Sequence, residues 1–268
     1  MQKNIFLTIK NRIKGFHITR SVFAYPYVLF LMLFVIVPLA LILVNAFLAD
    51  GKISFQNFVD LSRDGASLKV LGHSFLVGIV TTALCLIIGY PVADILAKMP
   101  SGGVLVILFI LPMWVNFLIR TLATRAIFQA MGVALGEGTV IFGMVYNYLP
   151  FMIMPLHTTL SNIDKSYSEA ASDLGADPVT VFLKTTLPLS VPGIISGIIM
   201  VFIPTISTFA ISQLLGGVFL FGDSINDKFN HGLYGVGSVM SLVMLVFVLL
   251  SNVMLKKFNK GEAKSSVW

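Results

Sequence analysis

Five side chains interrupt or border long apolar runs with groups that could do chemistry: Asp94, Trp114, Asn116, Tyr146 and Asn147. Ionisable and amide groups are costly in an apolar phase, so each invites a functional reading. Asp94 could attract a cation at the mouth of a passage; its plainer alternative is an i,i+4 pair with Lys98. Asn116 can offer a carbonyl acceptor to an ammonium group while neighbouring Trp114 offers a π-face. An interhelical amide bond and an interfacial aromatic anchor serve equally well. Tyr146, Asn147 and Tyr148 carry the same ambiguity. Other chemistries find little support. The single cysteine, Cys85, builds no intrachain disulfide or multi-cysteine metal site. Four scattered histidines show no metal-ligand spacing. No G-x-x-x-x-G-K-[ST] loop exists to cradle a nucleotide. His73 and His157 stand near opposite ends of their apolar runs, and Asp94 is the one Asp within such a run, which speaks against an intramembrane hydrolase.

A second concentration of information lies in the polar stretch 164–188. Ser166 followed by Glu169 has capping-box spacing. Ala170, Ala171 and Leu174 continue a short helix, and Gly175 suits its C′ position. Asp177 then reads as an N-cap with Pro178 at the first helical position of the next piece. Val179, Phe182 and Leu183 give that piece an apolar face, and Leu187-Pro188 should end it. Two short helices capped at both ends make a rigid knob, able to pass on a displacement that a slack linker would absorb. An ordinary interfacial helical hairpin has the same grammar.

The elements that must position these groups follow from composition. Of 268 residues, 57% are hydrophobic and only 11% charged, against about 25% charged in an ordinary soluble domain. That excess of apolar surface must face lipid. Six runs approach the roughly 20 residues needed to cross the hydrocarbon layer: 25–47, 73–97, 104–122, 139–159, 191–215 and 233–255. Prolines 38, 91, 112, 150, 155 and 204 fall inside them, predicting kinked helices. Gly193-x-x-x-Gly197 permits close helix contact. Alternate connections carry twelve and six Lys or Arg residues, and the richer set includes both chain ends. The positive-inside bias therefore predicts cytoplasmic termini. The run 25–47 is too long for a signal-peptide core and reads as a retained anchor. Residues 5–23 alternate apolar with basic, the pattern of a segment lying on the inner membrane face; a disordered basic tail fits equally well. Asp50, Asp60, Asp64, Glu137, Asp223 and Asp227 fall on the predicted outer side, together with six basic residues that include Arg120 and Arg125, so the net field there is near zero. The net charge of +6 comes without an aromatic-interleaved basic loop, and nucleic acid is set aside.

The residues Glu169-Ala170-Ala171, Gly175 and Leu187-Pro188 have the spacing E-A-A-x(3)-G-x(11)-L-P. This resembles the EAA loop of binding-protein-dependent ABC importer permeases, with one departure at Thr185, where the family usually has an aliphatic residue. The resemblance implies an all-α type I importer permease fold of six transmembrane helices in a bacterial plasma membrane. It implies that Glu169, Ala170, Ala171, Leu174, Gly175, Leu187 and Pro188 couple the spans to a separate ATPase, which uses the ATP, while this chain binds no cofactor. Gly89-Tyr90-Pro91, Asn116 to Arg120, Leu149 to Pro155, Asp173-Leu174-Gly175 and Pro192 to Ile195 resemble the first permease subunit of spermidine/putrescine systems. That likeness implies a second permease subunit and an extracytoplasmic polyamine-binding protein as partners. Permeases for iron, sulfate or other cations share some of these features, and a stand-alone secondary transporter is the remoter alternative. The expected organisation is a basic segment 1–24, a first span and outer loop 25–66, a permease core 67–256 and a basic tail 257–268.

Overall fold

The structure is a computed structural model and describes residues 24–49 and 51–265. The amphipathic stretch 5–23 and Asp50 lie outside the described residues.

Helix α1 (Tyr25–Phe47) is apolar along its whole length and almost wholly exposed. Its wall of Leu, Val and Phe suits lipid. One turn, Met32–Ile36, widens to a π-turn just before Pro38, because proline has no N–H to return to the preceding turn. The helix stops in a short antiparallel pair, β1 (Leu48–Ala49) and β2 (Lys52–Ile53), in which Leu48 faces Ile53. The carboxamide of Asn57, on helix α2 (Gln56–Arg63), closes this end. Its nitrogen donates to the carbonyls of Asn45, Ala46 and Leu48 at 3.0–3.2 Å, the orphan acceptors a helix C-terminus must satisfy.

Three long helices form the centre: α3 (Gly65–Lys98), α6 (Glu137–Ser161) and α9 (Val191–Ser207), each packed against the other two. Lipid tails are as apolar as leucine, so such helices associate through close packing of small residues. The expected Gly193/Gly197 pair does this. A Cβ at Gly197 would stand 2.5 Å from the Met152 sulfur, and one at Gly193 2.7 Å from the Thr159 hydroxyl. Met152, Ile153 and Leu156 of α6 are fully buried against Cys85, Ala93 and Val201. Helix α12 (Tyr234–Ser265) packs on the Val37–Phe47 half of α1 and on α2.

Among the described residues, four helices are long and apolar enough to span unbroken, and two further apolar stretches are sharply bent pairs, giving four to six spans. Here the structure corrects two boundaries. The stretch 104–122 is not one helix: α4 (Gly102–Trp114) meets α5 (Phe117–Ala130) at 86°. Pro112 tightens the end of α4 into a 3₁₀ turn, Val115 is extended, and Asn116 caps a fresh helix. The stretch 191–215 also breaks, at extended Thr208, before the short helix α10 (Ala210–Leu215). Helix α11 (Phe221–Asn230) follows it.

Candidate functional site

The polar stretch 164–188 folds as two capped helices, α7 (Lys165–Asp173) and α8 (Pro178–Leu189). The cap of α7 differs from expectation. Asp164, not Ser166, is the N-cap residue; its Oδ1 accepts the Ser166 N–H at 2.9 Å, so Ser166 is the recipient of the cap. The bonds from the Ser166 amide and side chain hold the Asp164 carboxyl below its usual range. A carboxylate is the better acceptor here because its charge opposes the positive helix end. At the other end Gly175 adopts φ +83°. Its N–H donates to the Ser172 carbonyl at 2.9 Å and that of Ala176 to Ala171 at 3.1 Å, the paired bonds of a Schellman motif. Asp177 caps α8 as expected, accepting from the Val179 and Thr180 amides. The Thr180 hydroxyl bond, with that amide, lowers its carboxyl too.

The knob has two sides. Glu169 and Ala170 are exposed, with Tyr167, Val179 and Leu183 well exposed and Leu174 90% so; apolar side chains displayed on a polar loop mark a contact surface. Toward the spans, Phe182 stacks edge-on against Tyr90 of α3, ring centroids 5.7 Å apart. The buried Tyr90 hydroxyl and Ser190 Oγ share a bond of 2.8 Å, and Ser190 Oγ also bonds the Leu187 carbonyl. Leu187 packs into the core beside Leu160, whereas Pro188 is exposed. Helix α8 repeats the pattern of α1, with a π-turn at Phe182–Thr186 just before Pro188. Ser190 marks a 63° bend into α9. The knob is thus tied to α3 through one aromatic contact and one buried hydrogen bond.

Asp94 forms the i,i+4 pair with Lys98 at 2.6 Å. It lies on a cleft of about 240 Å³ beneath the knob that Lys165 and Glu169 also line.

A larger cavity, about 460 Å³, opens against α6 at the breaks around Val115–Asn116 and Thr208; Asn116, Arg120, Asn147, Tyr148 and Thr208 line it. Asn116 Oδ1 accepts the Leu118 N–H at 2.8 Å and so caps α5. Asn147 is 2% exposed and donates to the Gly143 carbonyl at 2.8 Å, while its own Oδ1 has no partner. The five sequence candidates therefore do not form one site. Asn116 and Asn147 share the cavity. Trp114 is 80% exposed and faces an outward apolar recess with Met113 and Met154, and Tyr146 lies beside the Arg120 guanidinium, 5.6 Å from ring centroid to Cζ. Arg120 was grouped with the outer charges by its place in the chain; instead it is 9% exposed, with Nε and Nη1 unpartnered. Its position between Ile119 and Thr121 in an apolar run was the available signal. Asp223 is likewise buried, accepting from the Ser212 hydroxyl and the Leu220 amide. The other described outer acids have local partners: Asp60 with Gln56, Asp64 with Lys228 at 3.2 Å, Glu137 near His73 and Asp227 with His231.

A knob braced against a helical bundle that holds a cavity at its helix breaks is the anatomy of a permease subunit. The chain belongs to the family of binding-protein-dependent transport system inner membrane components, whose pattern matches residues 88–264. It is 33% identical over 263 residues to the spermidine/putrescine transport system permease protein PotB of Escherichia coli K12, covering 85% of this chain and 96% of that one. The Haemophilus influenzae protein of the same name is 33% identical over 253 residues, covering 81% and 88%. Among solved structures, a bacterial ABC transporter involved in import of the acidic polysaccharide alginate has a chain that superposes with TM-score 0.62 at 16% identity, covering 95% and 99%. The inward-facing MetNI methionine ABC transporter gives 0.57 at 17% identity, covering 72% and 94%. This is a multi-pass inner-membrane permease subunit of an ABC importer.

Proposed function

We propose that this chain moves polyamines of the spermidine/putrescine type into the cytoplasm, as one of two permease subunits driven by a separate ATPase. In this reading α4 with α5 counts as one span and α9 as another, making six transmembrane helices with both termini cytoplasmic. Residues 25–66 add a first span to a core at 67–256, with the basic segments 1–24 and 257–268 inside. The knob 164–188 seats in the ATPase, with Glu169, Ala170, Ala171, Leu174 and Gly175 at the contact and Leu187-Pro188 at the joint to α9. ATP is used by the partner, and an extracytoplasmic binding protein delivers the solute. Asn116 and Asn147 contribute acceptors to the path, and Asp94 stands at its inner mouth.

The observation that carries the coupling role is the two-sided knob: exposed Leu174 and Val179 outward, the Tyr90–Ser190 bond inward. A solid part exposed to a motor and anchored to the spans can transmit a stroke. The 33% identity to permeases named for spermidine and putrescine supports the substrate. Two experiments test the reading. Purified whole transporter in lipid should show ATP hydrolysis stimulated by spermidine or putrescine with the binding protein present; no stimulation removes polyamines as cargo. Cys85 is buried, so Leu174→Cys supplies an exposed thiol for labelling. Modification by an impermeant reagent added outside intact cells would remove the coupling role.

A further inference from the structure

Arg120 poses a problem of sign. Its side chain lines the cavity, is more than nine-tenths buried, and leaves Nε and Nη1 without an acceptor. No Asp or Glu lines that cavity among the described residues. Arginine remains charged in proteins, and a buried charge is retained only when paired and hydrogen-bonded. What surrounds it does not neutralise it. The Tyr146 ring gives a partial cation–π contact, and the free Oδ1 of Asn147 can accept a hydrogen bond but carries no charge. A bare guanidinium would also obstruct the proposed cargo: a like charge about 4 Å away disfavours occupancy by roughly a thousandfold at an effective dielectric near 20.

We infer that Arg120 is the docking point for a carboxylate of the second permease subunit, which enters the mouth of this cavity and pairs with the guanidinium across the subunit interface. This inference rests on the polyamine reading, because a polyamine brings no carboxylate of its own. Each bidentate edge of the planar fork, Nε–Nη2 and Nη1–Nη2, contains one of the two unpartnered nitrogens, and either edge can grip both oxygens of a carboxylate. The rim is open and bears exposed Val115, Phe117 and Phe209, apolar surface that a neighbouring membrane helix can cover. Pairing would leave the cavity near neutral, so that an ammonium meets the Asn116 and Asn147 oxygens and the Tyr148 ring instead of a net positive charge.

The test uses the complete transporter, both permease subunits with ATPase and binding protein, in cells dependent on polyamine uptake. Arg120→Glu places two carboxylates together and should reduce uptake at least tenfold. Selection for restored growth should then yield, in the second permease, an Asp or Glu changed to Lys or Arg, and the swapped pair should recover uptake to within about threefold of wild type. Arg120→Met should reduce retention of the second permease on the affinity-tagged chain by about 30-fold or more, as expected when a buried charge loses its partner. If Arg120→Met does not accumulate, neutralising the acids in the second permease's spans one at a time must reproduce the loss of retention at one position. Wild-type retention and uptake in Arg120→Met, or suppressors confined to this chain, would overturn the inference. So would wild-type assembly combined with loss of stimulation by a carboxylate-bearing solute, which would make the cargo the source of the anion. A wild-type transporter without polyamine uptake refutes the substrate reading; retention and charge-swap rescue of subunit assembly still decide the ion pair.

Discussion

Gly175 offers a clean separation of backbone conformation from bulk. Its φ is +83°, yet a Cβ built there would meet nothing within 4 Å, so the chain itself has room for a side chain. An L-residue in this region costs about 1–2 kcal/mol, toward the upper end for a β-branched one. Gly175→Val must meet that cost or give up the two bonds that finish α7. If, as proposed, the ATPase seats on the finished knob, its affinity should fall by the equivalent factor, about 5–30. Asn is of similar size but tolerates the left-handed region, and Gly175→Asn should stay within about threefold of wild type. The assay is titration of the purified ATPase subunit onto the permease complex in detergent, alongside uptake per ATP hydrolysed in proteoliposomes. Equal binding by Val and wild type would refute the backbone argument. Equal damage by Val and Asn would assign the effect to bulk at the contact.

Three further outcomes are expected. Tyr90→Phe deletes the 2.8 Å bond to Ser190 but keeps the ring against Phe182; the bond is worth about 1 kcal/mol, and uptake per ATP should fall, which reconstituted transport checks. Asn116→Leu removes the cap of α5 at about 1 kcal/mol, whereas Asn116→Ser keeps a cap; uptake lost in Leu but kept in Ser would assign Asn116 to structure and not to the path. The Asp64 carboxyl is held low by the Ser67 hydroxyl and amide and by Lys228. Its stabilising effect is therefore complete above the unfolded value of about 3.9, constant from pH 5 to 8, and lost as pH falls through the depressed folded value. Thermal unfolding should show that acid dependence in the wild type and lose it in Asp64→Asn.

The knob was legible in the sequence because its signals are local. Gly175, Asp177 and Pro178 each act within four residues, and each stands where its chemistry requires. The cap of α7 was misassigned by two residues because Asp164 and Ser166 are both good caps, and only the path of the chain entering from α6 selects between them. Apolar runs marked the spans, but not the break at Asn116, since a proline-tightened turn followed by an Asx cap resembles continuous apolar helix until the bend is seen. Arg120 and Asp223 were hidden for a different reason. A charge near an apolar run looks like solvent-facing charge, and burial depends on how other helices pack over it, as α10 does in presenting Ser212 to Asp223.

The carboxamide of Asn57 has a consequence for how the molecule can move. It binds three carbonyls at the end of α1 and lies so near Gly235 of α12 that a Cβ there would come within 2.5 Å of it. One short side chain thus rivets the first membrane helix to the last, at the end of the molecule away from the knob. The opening and closing strands of the chain become a single outer panel, and α1 shows its bare flank to the lipid. Under the proposed coupling, a stroke arriving through α8 would reach α3 and α9 first, leaving the panel as the fixed hull against which they turn.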